Sequence, residues 1–228
     1  MGDYALEIAD LTKIYKTPGG DVNALLGANL RVNKGEQVAV IGPSGSGKST
    51  FLSMVGLLDR PTRGDVMIDG VSTSKLGDKG LTEIRRKKIG FIFQQYNLIS
   101  TLTGRENIQL PLYLQGRSLD EIDKKINTIS ERLALDEKFL EHFPKQLSGG
   151  QQQRLAIARA LVGEPAIVLG DELTGNLDSK TSEQTLELLK ELNETMGLTM
   201  LIVTHDMHIA EYMERKITIR DGRLYENG

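Results

Sequence analysis

The sequence predicts an α/β fold, a largely parallel sheet with a small antiparallel layer beside it. Three observations predict it. The apolar run Val38, Ala39, Val40 and Ile41 leads directly into a glycine-rich loop. Apolar strand segments at residues 166–169 and 200–203 alternate with helical patterns, as in a sheet whose strands are buried on both faces. Residues 4–40 alternate short strand-like pieces with turns, which suits an antiparallel layer.

The loop is Gly42, Pro43, Ser44, Gly45, Ser46, Gly47, Lys48, Ser49 and Thr50. It fits the phosphate-binding pattern G-x-x-x-x-G-K-[ST] in its proper context, after a strand and before a helix that begins near Phe51. Glycines let the backbone approach an anion closely, and the helix N-terminus aims N–H groups at it. Lys48 can reach the β- and γ-phosphates, and the Ser49 hydroxyl can bind Mg²⁺.

Further strands are expected at Leu6 to Ile8, Ala28 to Val32, Val66 to Ile68 and Ile89 to Phe93, with turns at Thr17 to Asp21, Lys34-Gly35 and Asp69-Gly70. In residues 119–142, Leu119, Ile122, Ile126, Ile129 and Leu133 fall 3, 4, 3 and 4 apart, predicting one apolar helical face until Pro144 breaks the pattern. Helices are also expected at 151–162, with Leu155, Ile157, Ala158 and Leu161 inward, and at 181–193.

Two other places carry chemistry. An apolar strand ends in Asp171 and Glu172. Beside a phosphate loop, Asp171 suits a role in holding Mg²⁺, and Glu172 one in orienting or deprotonating an attacking water. The plainer alternative is a polar pair opening a turn. Ser148, Gly149, Gly150 and Gln151 stand just before a helix and can form a second anion site, or simply a helix cap.

Composition bounds the class. The chain has 228 residues, 39% hydrophobic and 26% charged, which is enough to bury a core without staples. It has no Cys, so neither disulfides nor thiolate metal sites are possible. A net charge of −3 with mixed signs argues against a nucleic-acid partner. No apolar run is long enough to cross a bilayer, and Met1, Gly2, Asp3 and Tyr4 lack a secretory pattern. Any service to a membrane is therefore expected to run through a partner.

The three motifs, GPSGSGKST, LSGGQ and GDE, in this order and spacing, resemble the ATP-binding-cassette (ABC) ATPases over almost the whole chain. LSGGQ distinguishes that family from other phosphate-loop enzymes. The resemblance implies a RecA-like phosphate-loop NTPase core with an antiparallel β layer and an α-helical subdomain. It spans 1–228 as one nucleotide-binding domain, with the core at roughly 1–95 and 160–228 and the helical part at roughly 96–160. It assigns Tyr15 to adenine stacking, Gln94 to sensing Mg²⁺ and relaying to a partner, and Asp178 to the D-loop. It assigns His205 to the γ-phosphate and the water held with Glu172. Outside the family pattern, Tyr15 reads as a plain strand aromatic, Gln94 as a loop amide and His205 as a cap.

Family membership also implies ATP and Mg²⁺ as ligands. It implies a homodimer in which Ser148, Gly149, Gly150 and Gln151 close over the partner's ATP, and an integral membrane permease as partner. The protein would then sit on the inner face of the cell membrane. The wording around Leu57 to Thr62, Ile89 to Leu98 and Thr174 to Lys180 resembles the subgroup that powers lipoprotein release, macrolide and peptide export, and cell-division complexes. The permease would dock near Gln94 to Leu102 and the 105–142 region. A soluble cassette ATPase without a membrane partner, such as one for cluster assembly, is the alternative. Two departures stand out. Leu173 follows Glu172 where the family has Pro, and is expected to loosen that turn; Gly170 replaces a more usual Ala, with slight effect expected.

Overall fold

Two long strands open the chain, and they pair because their inward residues alternate with polar ones. β1 (Tyr4–Thr17) and β2 (Gly20–Asn33) form an antiparallel hairpin, with Leu6, Ile8 and Leu11 opposite Val32, Leu30 and Ala28 in one buried layer. Pro18 and Gly19 make the turn, so the expected five-residue loop is two residues long. The computed structural model describes residues 4–226; Met1, Gly2 and Asp3, read above for a secretory pattern, lie outside the described residues. β4 (Arg63–Ile68) joins β1, and β5 (Val71–Ser72) joins β4, giving the order β2-β1-β4-β5. Asp69 and Gly70 between them both have positive φ, 48° and 76°, as a tight hairpin turn requires.

The second sheet has six strands in the order β10-β9-β3-β8-β7-β6. β3 (Gln37–Ile41), β6 (Ile89–Phe93), β7 (Ile167–Asp171), β8 (Met200–Thr204) and β9 (Arg215–Arg220) are parallel. β10 (Arg223–Glu226) returns antiparallel on β9. This sheet divides two cores. Val38, Val40, Leu169 and Val203 pack with the antiparallel layer and α1 (Lys48–Val55), while Ala39, Val168 and Ile202 pack with the helices on the other face.

Those helices are α3 (Gly104–Leu114), α4 (Leu119–Arg132), α5 (Glu137–Glu141), α6 (Gly149–Leu161), α7 (Ser179–Met196) and α8 (Met207–Glu211); α2 (Asp78–Lys88) precedes β6. The single apolar face expected over 119–142 is two helices. α4 stops at Arg132, and Ala134 turns the chain with φ 48°. Ile122, Ile126, Ile129 and Leu133 are buried as the spacing predicts, but Leu119 is 70% exposed, because it lies one residue past the Ser118 cap, beyond the edge of the core. Among the described residues, no helix is long and apolar enough to cross a membrane.

Candidate nucleotide site

The loop between β3 and α1 is shaped by close packing under it. A Cβ on Gly42 would lie 2.4 Å from the Ile219 carbonyl oxygen. Gly47 has φ 108°, and a Cβ there would lie 2.6 Å from the Ala24 carbonyl oxygen. Two further bonds tie the loop to its surroundings: Gly222 N donates to Ser46 O (3.1 Å), and Leu26 N donates to Gly222 O (2.8 Å). Lys48 Nζ reaches back across the loop to the carbonyls of Gly42 (2.6 Å) and Pro43 (3.0 Å). No side chain caps α1 at Gly47, whereas Thr103, Ser118, Ser148 and Asp178 cap α3, α4, α6 and α7. An uncapped helix start inside a glycine cradle, with an ammonium beside it, fits phosphate groups.

β7 delivers the two carboxylates. Burial, and then the neighbouring Glu172 charge, pushes the Asp171 carboxyl above the usual carboxylate range, with Lys48 opposing. Glu172 turns the chain with φ 46°, its N–H donating to Val203 O at 3.0 Å. Its Oε1 lies 2.5 Å from Nδ1 of His205, which follows β8 and is exposed. With the carboxylate ionised, Nδ1 carries the proton of that contact. Asp171, Glu172, His205, the phosphate loop and Tyr15 line one cavity of about 1020 Å³. That volume is of the size a nucleotide needs. The Tyr15 hydroxyl donates to Asp59 Oδ2 (3.3 Å), and Lys13 Nζ, 4.9 Å from the ring centroid, also pairs with Asp59 at 2.7 Å.

The other sequence-predicted residues lie outside that cavity. The Gln94 side-chain amide rests against Gly175, where a Cβ would come within 2.5 Å of Nε2, and the Gln94 backbone carbonyl accepts from Asn176 Nδ2 at 2.8 Å. Ser148 and Gln151 form a reciprocal capping box at the start of α6: Gln151 N donates to Ser148 Oγ (3.3 Å) and Ser148 N to Gln151 Oε1 (2.8 Å). Within one chain, then, the helix-cap alternative is realised. Asp178 caps α7, and the hydroxyl of Thr181, donating to it at 2.6 Å, holds its carboxyl below the usual range. Asn23, Ala24, Asp221 and Gly222 also line the cavity and were not foreseen, although the Asp-Gly pair between two alternating runs is a hairpin signal.

Leu173, expected to loosen the turn after Glu172, is held there by packing and by one hydrogen bond. It is 1% exposed, and its carbonyl accepts a bond from the buried Gln153 Nε2 at 2.9 Å.

Comparison with known proteins agrees with this geometry. The family profile described as ABC transporter matches residues 25–175. The chain is 50% identical over 222 residues to the ABC transporter ATP-binding protein MJ0796 of Methanocaldococcus jannaschii, covering 96% of this chain and 94% of that one. It is 42% identical over 225 residues to the lipoprotein-releasing system ATP-binding protein LolD of Legionella pneumophila, covering 99% of both. A solved structure described as a dimeric post-hydrolysis state of MJ0796 bound to ADP and Pi superposes with a TM-score of 0.86 at 47% identity, over 98% of this chain and 99% of that one. Matched along nearly its whole length to ATP-binding cassettes, in sequence and in backbone alike, the chain belongs to the ABC transporter family.

Proposed function

We propose that this chain is an ATPase subunit that binds Mg²⁺ and ATP, acts as a homodimer, and powers a separate membrane subunit. The observation that carries it is the 2.5 Å contact between Glu172 and His205 inside the cavity that also holds the phosphate loop. In this reading Tyr15 stacks on adenine. Gly42, Pro43, Ser44, Gly45, Ser46, Gly47, Ser49 and Thr50 surround the phosphates, and Lys48 neutralises them. Ser49 and Asp171 would hold Mg²⁺, which supplies charge neutralisation on the phosphate oxygens, and Gln94 would join them on leaving its place against Gly175. Among the described residues no cluster of three or more His, Asp or Glu could cage a metal by itself, so the ion would enter with its nucleotide. Glu172 accepts the proton of the attacking water, and His205 fixes the direction of that carboxylate and contacts the γ-phosphate. The water oxygen bonds to the γ-phosphorus as the bond to the bridging oxygen breaks, and ADP leaves.

Ser148, Gly149, Gly150, Gln151 and Asp178 lie outside the cavity of their own chain, which suits a role across a two-fold interface, on the partner's ATP. A relative is described as a dimer with ADP and Pi, which supports the same assembly. We assign residues 1–95 and 160–228 to the nucleotide core and 96–160 to a helical unit. Next to Gln94 lies an apolar groove of about 510 Å³, with Phe91, Phe93, Asn97, Leu110, Pro111 and Leu114 among its walls. We assign it to the permease, which would hold the protein at the inner face of the membrane. LolD is named for lipoprotein release and an equally similar relative for methionine import, so the export or force-transmission reading rests on the wording at Leu57 to Thr62, Ile89 to Leu98 and Thr174 to Lys180.

The test is ATP hydrolysis by the purified chain and by Glu172→Gln. Loss of turnover with retained ATP binding is expected; equal rates in both refute Glu172 as the base. Co-purification from membranes with a permease separates this reading from a soluble cassette ATPase.

A further inference from the structure

Glu172 stands in a backbone conformation that a residue with a side chain adopts only under constraint, with φ 46°. Two bonds of its own peptide groups hold it, Glu172 N to Val203 O (3.0 Å) and Gly175 N to Glu172 O (3.1 Å). These fix the main chain but leave open what sets the tilt of the turn against the sheet. The next residue answers that. Leu173 folds back over Gly170, two positions before the acid. A Cβ on Gly170 would lie 2.8 Å from Leu173 Cδ2, 3.1 Å from Leu173 Cγ and 3.1 Å from Ile202 Cγ1. Leu173 is buried in the helical-side core, so it cannot swing out to solvent to relieve such a clash. The bare Cα of Gly170 is thus the floor of the socket that Leu173 fills.

From the other side, Gln153 on α6 donates Nε2 to the Leu173 carbonyl at 2.9 Å. Gln153 is fully buried, and its Oε1 has no partner. An amide buried with its acceptor idle costs free energy, so the single bond it does make has to offset that cost.

We infer that Gly170, Leu173 and Gln153 are positioning residues for the hydrolytic step: a side chain seated in a glycine socket, with its carbonyl pinned, aims Glu172 at His205. The inference rests on the reading of Glu172 as the base. None of the three lines the phosphate loop cavity; Leu173 and Gln153 act on turnover through Glu172, while Gly170 is also bonded to Asp171.

The test uses the full chain, with ATP turnover measured by phosphate release and folding followed by thermal melting. Gly170→Ala is expected to lower kcat about tenfold or more, the scale of a sub-ångström to 1 Å misplacement of a reacting group. KM for ATP stays within about twofold, because the groups that bind ground-state ATP are untouched. Adding Leu173→Val to Gly170→Ala exchanges one carbon for one carbon in the socket and restores turnover. In a Glu172→Gln background, Gly170→Ala changes nothing further. An unchanged kcat in Gly170→Ala, a loss that Leu173→Val does not recover, or a parallel rise in KM overturns the inference. Should Gly170→Ala fail to fold, Leu173→Val alone is read in the same way: kcat falls with KM held, and an unchanged kcat overturns it. Turnover by Glu172→Gln equal to the parent sinks the assignment of the base itself. An inactive Glu172→Gln beside a fully active Gly170→Ala sinks the positioning claim only.

Discussion

Gly47→Ala should unfold the phosphate loop from its seat, and Gly45→Ala should not. Both glycines have positive φ, 108° and 78°. An alanine forced into that region costs about 1–2 kcal/mol. Only Gly47 adds a collision, since its Cβ would stand 2.6 Å from the Ala24 carbonyl oxygen on β2, while nothing lies within 4 Å of a Cβ on Gly45. Ordinary contact begins near 3.4 Å, so loop or strand must yield 3.4 − 2.6, about 0.8 Å. Overpacking of that kind adds about 1–3 kcal/mol. The sum is about 3 kcal/mol for Gly47→Ala against about 1.5 kcal/mol for Gly45→Ala. For a chain of this size that is a fall in melting temperature of about 6–12 °C against about 3–6 °C. The assay is thermal melting without nucleotide, so obstruction of a ligand by the new methyl does not enter. Melting temperatures for the two variants within about 2 °C of each other would refute the steric account.

Asp171→Asn is expected to raise the melting temperature of the nucleotide-free protein at neutral pH. Burial and the Glu172 charge lift the Asp171 pKa above its unfolded value of 3.8, so its contribution to stability is present below that value and is lost as pH rises through the folded pKa. The advantage of Asn should therefore vanish as pH falls below about 3.8, and a lower melting temperature for Asn at neutral pH would contradict the burial argument. The same variant should lose the extra stabilisation that Mg²⁺ adds to ATP. A mixing experiment tests the site across the two-fold axis. Lys48→Ala and Ser148→Ala are each inactive as homodimers, but an equimolar mixture should recover about a quarter of the parental rate, since half the dimers are mixed and one of their two sites is intact. A mixture no more active than either parent variant would place Ser148 on its own chain's nucleotide.

Strands buried on both faces were the most readable part of the fold. β3, β6, β7 and β8 are each built on a short apolar run rich in Val, Ile, Leu and Phe. α2 escaped because only Leu81 and Ile84 of its eleven residues are buried, so its pattern is that of a charged surface. α3 falls in the part expected to be helical, but Pro111 blurs its pattern, and the capping box of Thr103 and Glu106 is what marks its start. β9 alternates at Ile217 and Ile219 before the Asp221-Gly222 turn, but β10 is four residues with Leu224 and Tyr225 adjacent, too short to show a period. At the site, motif spacing carried the loop, Asp171 and Glu172, because phosphate chemistry dictates residue types at fixed offsets, while His205 and Tyr15 came only with the family resemblance. Gly170, Leu173 and Gln153 obey no such offset. Their relation exists only once a strand, a turn and a helix have packed together.

The bonds from Leu26 to Gly222 and from Gly222 to Ser46, and the seat of Gly47 on Ala24, weld the phosphate loop to β2. β2 in turn pairs with the strand that carries Tyr15, with Tyr15 opposite Val22. In the proposed complex the two ends of the nucleotide are thus gripped by one stiff gauge whose jaws are set before the ligand arrives. Such a gauge measures length. Any movement that follows loss of the γ-phosphate has to come from the parts outside the gauge, the turn of Glu172 and the helices beyond it.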